Sequence, residues 1–145
     1  KESAPLTREE VEKILKGDYA FLLYSSHSLC REFYIECTCN MMRPRTIVDY
    51  ERIPWILDAG TVRITFDSDV RAAIGSYDIF DPGLPALSVL EPGKLILEVK
   101  FTEMLPQLLR DVLPPPAAEF TAVSKYVLCY EKTRYMNGFE YWYET

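Results

Sequence analysis

The sequence lacks long apolar runs and has few basic residues. No stretch of about 18 consecutive apolar residues occurs, so nothing predicts a transmembrane helix, and no apolar segment near the start resembles a signal peptide. The formal net charge is −6. A general duplex-binding surface is excluded, because neutralising phosphates along a duplex requires clustered lysine and arginine. We therefore expect a cytoplasmic protein with no membrane segment and no nucleic-acid partner.

The residues of several common catalytic and metal sites are also missing. The chain has four cysteines and one histidine. Cys37 and Cys39 are too close together for the common zinc spacing, and no second cysteine pair accompanies them. The sequence contains no glycine-rich phosphate loop, Ser-His-Asp set or Cys-His pair. We interpret the cysteines as structural thiols in a reducing compartment.

What is present is typical of a globular domain that begins with helices. Hydrophobic residues make up 48% of the chain and aromatic residues 13%, enough for a core in a single domain over 1–145. Thr7 and Glu10 form a capping box that predicts a helix over 8–16, ended by Gly17. Helical patterns follow over 19–25 and from a Ser28 cap towards Pro44. Residues 1–43 are therefore predicted to form a helical segment.

Residues 44–145 are predicted to form strands followed by C-terminal helices. Strands are expected over 46–54, ended by Pro54, over 61–71 and over 94–101, with one short strand inside the loop 76–93. Helices are expected over 104–113 and 121–135, before an aromatic tail that starts at 138. The fold class is α+β, with an antiparallel sheet that has flanking helices and forms part of a tunnel-like barrel.

Each predicted strand alternates an apolar face with a charged one. The polar positions are Tyr50, Arg52, Arg63, Thr65, Asp67, Asp69, Arg71, Glu98 and Lys100. One interpretation is an ordinary sheet with a solvated face, in which Asp67 and Asp69 pair with Arg63 and Arg71. The other is a barrel whose interior gathers arginines that clamp phosphate oxygens, with Glu98 as the best metal candidate.

Four segments in series resemble the C-terminal half of a VTC domain, the polyphosphate-polymerase type in the CYTH, or triphosphate tunnel metalloenzyme, superfamily. They are IVDYER at 47–52, VRITFD at 62–67, ILEVK at 96–100 and FTAVSKY at 120–126. The basic N-terminal strands of that family's tunnel have no match here. The resemblance therefore implies that the chain is the C-terminal portion of a larger tunnel domain, completed by further strands or by a second copy in a homo-oligomer.

The resemblance also assigns roles to individual residues. Arg52, Arg63 and Lys125 are implied to be catalytic. Phosphate is implied to be bound by Tyr50, Arg52, Arg63, Lys100, Ser124 and Lys125. Glu98 is the implied ligand of Mn²⁺ or Mg²⁺. The implied position of Ser124 and Lys125 near the start of the last helix fits this assignment independently, since a helix N-terminus attracts anions.

The implied function is metal-dependent phosphoryl transfer from a nucleoside triphosphate to polyphosphate. Such catalysis depends on positioning and on neutralising phosphate charge. Hydrolysis of a triphosphate by the same residues is an alternative, as is a module that binds polyphosphate or a nucleotide without catalysis. A purely structural role, with the aromatic tail as a docking surface, also stays open. Whether this chain is itself an enzyme is left undecided.

Overall fold

The computed structural model describes residues 2–58, 61–113, 115 and 118–137. Helix α1 (Arg8–Leu15) is followed by a 3-10 helix (Ala20–Tyr24) and helix α2 (Ser28–Cys39). Four strands follow: β1 (Val48–Leu57), β2 (Val62–Ala73), β3 (Ala86–Ser88) and β4 (Ile96–Lys100). Helices α3 (Gln107–Val112) and α4 (Lys125–Thr133) complete the described elements. The α+β class and the antiparallel sheet are confirmed.

The N-terminal helices form a core of their own. The predicted capping box is present, with the amide of Glu10 donating to the Thr7 hydroxyl and the amide of Thr7 donating to the Glu10 carboxylate. Gly17 follows α1 at a positive φ of 83°, which glycine adopts without strain. Buried residues from the three helices and their connections then pack together: Ile14, Tyr19, Leu22, Cys30 and Cys37.

The four described strands form an open antiparallel sheet centred on β2. Strand β1 pairs along one edge of β2, while β4 and β3 pair along the other edge, at its N-terminal and C-terminal halves respectively. The described sheet is not closed into a barrel. Its own core joins β2 to α4, where Val70, Ala72 and Cys129 are fully buried.

Several boundaries differ from those predicted. Strand β1 continues through Pro54 to Leu57, because in the described sheet it is an edge strand, where a missing amide hydrogen bond costs little. The N-cap of α2 is His27 rather than Ser28. Helix α4 begins at Lys125 rather than at 121, since Ser124 adopts an extended conformation and caps it. The aromatic tail from 138 lies outside the described residues.

A β-bulge changes which residues of β2 share a face. Asp49 pairs with Arg71 and Glu51 with Ser68, so two residues of β2, Asp69 and Val70, lie opposite Tyr50. Asp69 has a positive φ of 48°, which aspartate tolerates better than most residues. The face that carries Asp67 therefore continues with Val70. The prediction that Asp67, Asp69 and Arg71 share one face was wrong, because the extra residue reverses the alternation.

No helix in the described part of the chain combines the length and apolar character needed to cross a bilayer.

Candidate phosphate-binding face

An inner cluster on the sheet joins Arg52, Asp67, Lys125 and Tyr50. Arg52 donates two hydrogen bonds to Asp67, from Nε to Oδ1 at 2.6 Å and from Nη2 to Oδ2 at 2.7 Å. The Nζ of Lys125 donates to Oδ2 of the same carboxylate at 2.7 Å. Both cations lie over the Tyr50 ring, at 5.1 Å for Arg52 and 5.2 Å for Lys125. The carboxylate is thus held by three donors from two elements.

Strand register and helix packing bring these residues together. Arg52 lies directly opposite Asp67 in the β1–β2 pairing. Cys129 of α4 packs beside Val70 and Ala72, and Lys125 lies one helical turn before Cys129 on the same face of the helix. Helix packing on the apolar half of the face therefore places the Lys125 ammonium group beside Asp67.

The charges of this cluster stabilise one another. The Asp67 side chain has 0% exposure, whereas those of Arg52 and Lys125 are 31% and 22% exposed. The Arg52 hydrogen bonds, aided by Lys125, outweigh burial and lower the pKa of Asp67 from 3.8 to about 2. The hydrogen bonds to Asp67 in turn raise the pKa of Arg52. Asp67 is therefore ionised, and the cluster with its two cations carries a net positive charge at neutral pH.

The low pKa of Asp67 predicts a specific loss of stability in acid. Because the folded pKa is below the unfolded one, the contribution is present above about pH 4 and is lost as the pH falls towards 2. We expect it to be about 2 kcal/mol or less, since solvent screens the partly exposed partners. Urea unfolding of the native chain and of Asp67→Asn, at pH values on the two sides of this window, measures it.

The two stability values should differ at the higher pH and converge at the lower one. Asp69→Asn is the matched control, because Asp69 is half-exposed and its 3.4 Å contact with Arg71 is a surface ion pair. If Asp67→Asn lowers the free energy of unfolding by the same amount at both pH values, the low pKa of Asp67 is contradicted.

An outer row lies farther along the same face. Arg63 is directly opposite Lys100, and Thr65 is directly opposite Glu98, in the β2–β4 pairing. The Lys100 ammonium group contacts Glu98 at 3.1 Å. Within the described part of the chain, Arg63 forms no ion pair. Arg63 is four positions before Asp67 on β2, which corresponds to roughly 13 Å.

The register therefore places the predicted strand residues on one face. They are Tyr50, Arg52, Arg63, Glu98 and Lys100. Lys125 joins them from α4. Ser124 is the N-cap of α4, and its hydroxyl accepts from the amide of Val127 at 3.3 Å. The roles of these residues in binding or catalysis stay predictions.

Two residues of this face had no assigned role in phosphate binding. Asp67 was considered only as a partner for Arg63, whereas it pairs with Arg52 and Lys125; Asp69 does contact Arg71 as that interpretation expected. Thr65 is 2% exposed, and its hydroxyl has no hydrogen-bond partner in the described structure. The polar position of Thr65 was visible in the alternation, but its burial depends on tertiary packing.

The face offers few ligands for a metal. Both oxygens of Asp67 are engaged by cations, which leaves Glu98 as the accessible carboxylate among the site residues. In the described residues, no three His, Cys, Asp or Glu side chains cluster as a metal site would require. This donor set fits only an ion that takes its other ligands from water and substrate phosphate, a mode common for Mg²⁺.

Comparison with known proteins gives one match. A family model, described as VTC domain, matches residues 1–134. No curated protein and no solved structure matches the chain. The match covers both the helical segment and the strands and α4 that carry the candidate face. The chain belongs to the VTC domain family, which relates it to polyphosphate.

Proposed function

We propose that the sheet face described above binds the phosphate chain of polyphosphate or of a nucleoside triphosphate. The observation that carries this proposal is the direct opposition of Arg63 and Lys100 across two strands. Like charges in that arrangement destabilise a sheet. An anion between them turns the repulsion into a pair of favourable contacts. Glu98 contacts Lys100, whereas Arg63 forms no ion pair among the described residues and keeps its charge for a ligand.

The distance between the inner cluster and the outer row favours a chain of phosphates over a single phosphate. Arg52 and Lys125 belong to the inner cluster, whereas Arg63, in the outer row, lies roughly 13 Å farther along β2. A single phosphate cannot contact both the inner cluster and the outer row, whereas a linear polyanion can. Arginine adds geometric selectivity, because its planar group donates two parallel hydrogen bonds to phosphate oxygens.

We further propose that the chain supplies part of the site for metal-dependent phosphoryl transfer from a nucleoside triphosphate to polyphosphate. Arg52, Arg63 and Lys125 would bind and orient phosphates, with Tyr50, Lys100 and Ser124 at the same face, inside a tunnel-like barrel that further strands or a second copy complete. Glu98 would hold Mn²⁺ or Mg²⁺, which neutralises phosphate charge when bound.

Binding without catalysis is the second candidate, and the donor set favours it. Glu98 is the accessible carboxylate at the described face, and Lys100 already contacts it at 3.1 Å. Phosphoryl transfer needs strong charge neutralisation around the transferred group. A face with this composition is better suited to holding a polyanion than to stabilising a transition state unaided.

One set of assays distinguishes these functions. The purified chain is titrated with tripolyphosphate in a calorimeter and then incubated with ATP and Mn²⁺, with polyphosphate and free phosphate as readouts. New polyphosphate identifies transfer, free phosphate alone identifies hydrolysis, and binding without either product identifies a binding module. Absence of tripolyphosphate binding contradicts the proposed function.

The Glu98→Gln variant tests the metal assignment without requiring turnover. Mn²⁺ should strengthen tripolyphosphate binding by the native chain and strengthen it less in this variant, because the amide is a weaker ligand than the carboxylate. Glu91→Gln is a matched control, since Glu91 is an exposed carboxylate that likewise contacts a nearby lysine. An equal Mn²⁺ effect in both variants would contradict the assignment of Glu98.

A further inference from the structure

We infer that Asp67 is a positioning residue for anion binding, which fixes Arg52 and Lys125 for the phosphate chain. The inference rests on the proposed function, since it assigns a role within the same face. It is unexpected from charge alone, because a carboxylate inside an anion site repels the ligand. The geometry of the cluster gives the reason why Asp67 nevertheless promotes binding.

Asp67 is rigid, whereas the side chains that it contacts are long. It is fully buried on the central strand and pairs with residues from two other elements. Arginine and lysine lose much side-chain entropy when they are immobilised, because each has several rotatable bonds. In this fold Asp67 already restricts Arg52 and Lys125. A ligand that binds them therefore incurs a smaller entropic cost.

The bonds to Asp67 leave donors for a ligand. A guanidinium group has five N–H donors, and Arg52 directs two to Asp67. An ammonium group has three donors, and Lys125 directs one to Asp67. Their contacts with the Tyr50 ring further restrict both groups. The cluster thus combines fixed geometry, remaining donors and a net positive charge.

The sign of one substitution effect separates positioning from simple competition. If Asp67 only competes with the ligand for the two cations, Asp67→Asn removes a repulsive charge and strengthens phosphate binding. If Asp67 positions the cations, the same substitution weakens binding even though the face becomes more positive. We expect tripolyphosphate to bind about 10- to 100-fold more weakly to Asp67→Asn, because the ligand must then immobilise two long side chains that Asp67 no longer restricts.

The experiment measures tripolyphosphate affinity by calorimetry for the native chain and four variants, whose folding is checked by circular dichroism. Asp67→Asn tests whether loss of the carboxylate weakens or strengthens binding. Asp69→Asn makes the same charge change outside the cluster. Arg52→Gln and the Arg52→Gln/Asp67→Asn double variant complete a cycle. If Asp67 acts through Arg52, the effect of Asp67→Asn becomes smaller in the Arg52→Gln background, a coupling that general loss of stability does not produce.

Unchanged or tighter binding by Asp67→Asn, as expected for Asp69→Asn, overturns the inference. If Asp67→Asn does not fold, the tripolyphosphate affinity of Asp67→Glu tests the inference instead, because this variant keeps the negative charge but moves the carboxylate. Binding about tenfold weaker supports positioning, and unchanged binding overturns it. Failure of the native chain to bind tripolyphosphate is a different result, since it contradicts the proposed function and the inference with it.

Discussion

Charge reversal at Arg63 is expected to weaken tripolyphosphate binding by about 100-fold, equivalent to about 2.7 kcal/mol. Arg63 forms no ion pair among the described residues, and it lies opposite Lys100. Hydrogen bonds to charged groups contribute about 1.5–3 kcal/mol. Arg63→Glu loses such a contact and places a carboxylate beside the ligand. Calorimetric titration with tripolyphosphate at an ionic strength of about 0.15 M, where the Debye length is about 8 Å, measures the effect.

Arg8→Glu is the matched control for this charge reversal. It produces the same change in net charge, but Arg8 lies on α1, in an exposed ion pair with Glu12 and over the Phe80 ring, and in the described structure contacts no residue of the candidate face. Its effect on binding should be less than about twofold, since exposed charges beyond a Debye length are screened. Equal weakening by the two variants would show that net charge, and not the face, controls binding.

The largest loss of stability is expected from Leu22→Ala, at about 2–5 kcal/mol. Leu22 has 0% exposure and lies in the N-terminal cluster with Ile14, Tyr19, Cys30 and Cys37. Replacing its isobutyl group by a methyl group leaves a cavity among residues of α1, the 3-10 helix and α2. The free energy of unfolding from urea titration, followed by far-UV circular dichroism, measures the loss.

Leu108→Ala serves as the comparison, because Leu108 on α3 is largely exposed. Its cost should stay within about 0.5 kcal/mol, as for most surface substitutions. A similar cost for the two variants would show that the helical cluster does not contribute a core. Since Leu22 lies outside the candidate face, folded Leu22→Ala should keep native tripolyphosphate affinity.

The sequence was most informative where local chemistry determines structure. The capping box of Thr7 and Glu10 and the alternation of β2 as far as Asp67 both depend on neighbours in the chain, and both are present in the structure. The polar faces of β1, β2 and β4 could be assigned from period-2 patterns. The motif order likewise indicated the VTC family, which the match over residues 1–134 confirms.

The interior of the candidate site could not be predicted, because it depends on register and packing between distant residues. Asp67 and Lys125 are 58 positions apart in sequence, and nothing local identifies their contact. The bulge at Asp69 was invisible for a similar reason. An aspartate in a charged strand gives no signal of a positive φ, so strict alternation assigned Arg71 to the wrong face.

Because of the bulge at Asp69, the number of residues in β2 decides which of its side chains face the polar site and helix α4. Before it, the strand presents Thr65 and Asp67 to the polar site, and after it, Val70 and Ala72 to helix α4, all on one surface. Deleting one residue here would exchange the two faces of half the strand, a rearrangement that no substitution produces. Engineering of this domain should therefore treat β2 as a segment of fixed length with variable side chains at its exposed positions.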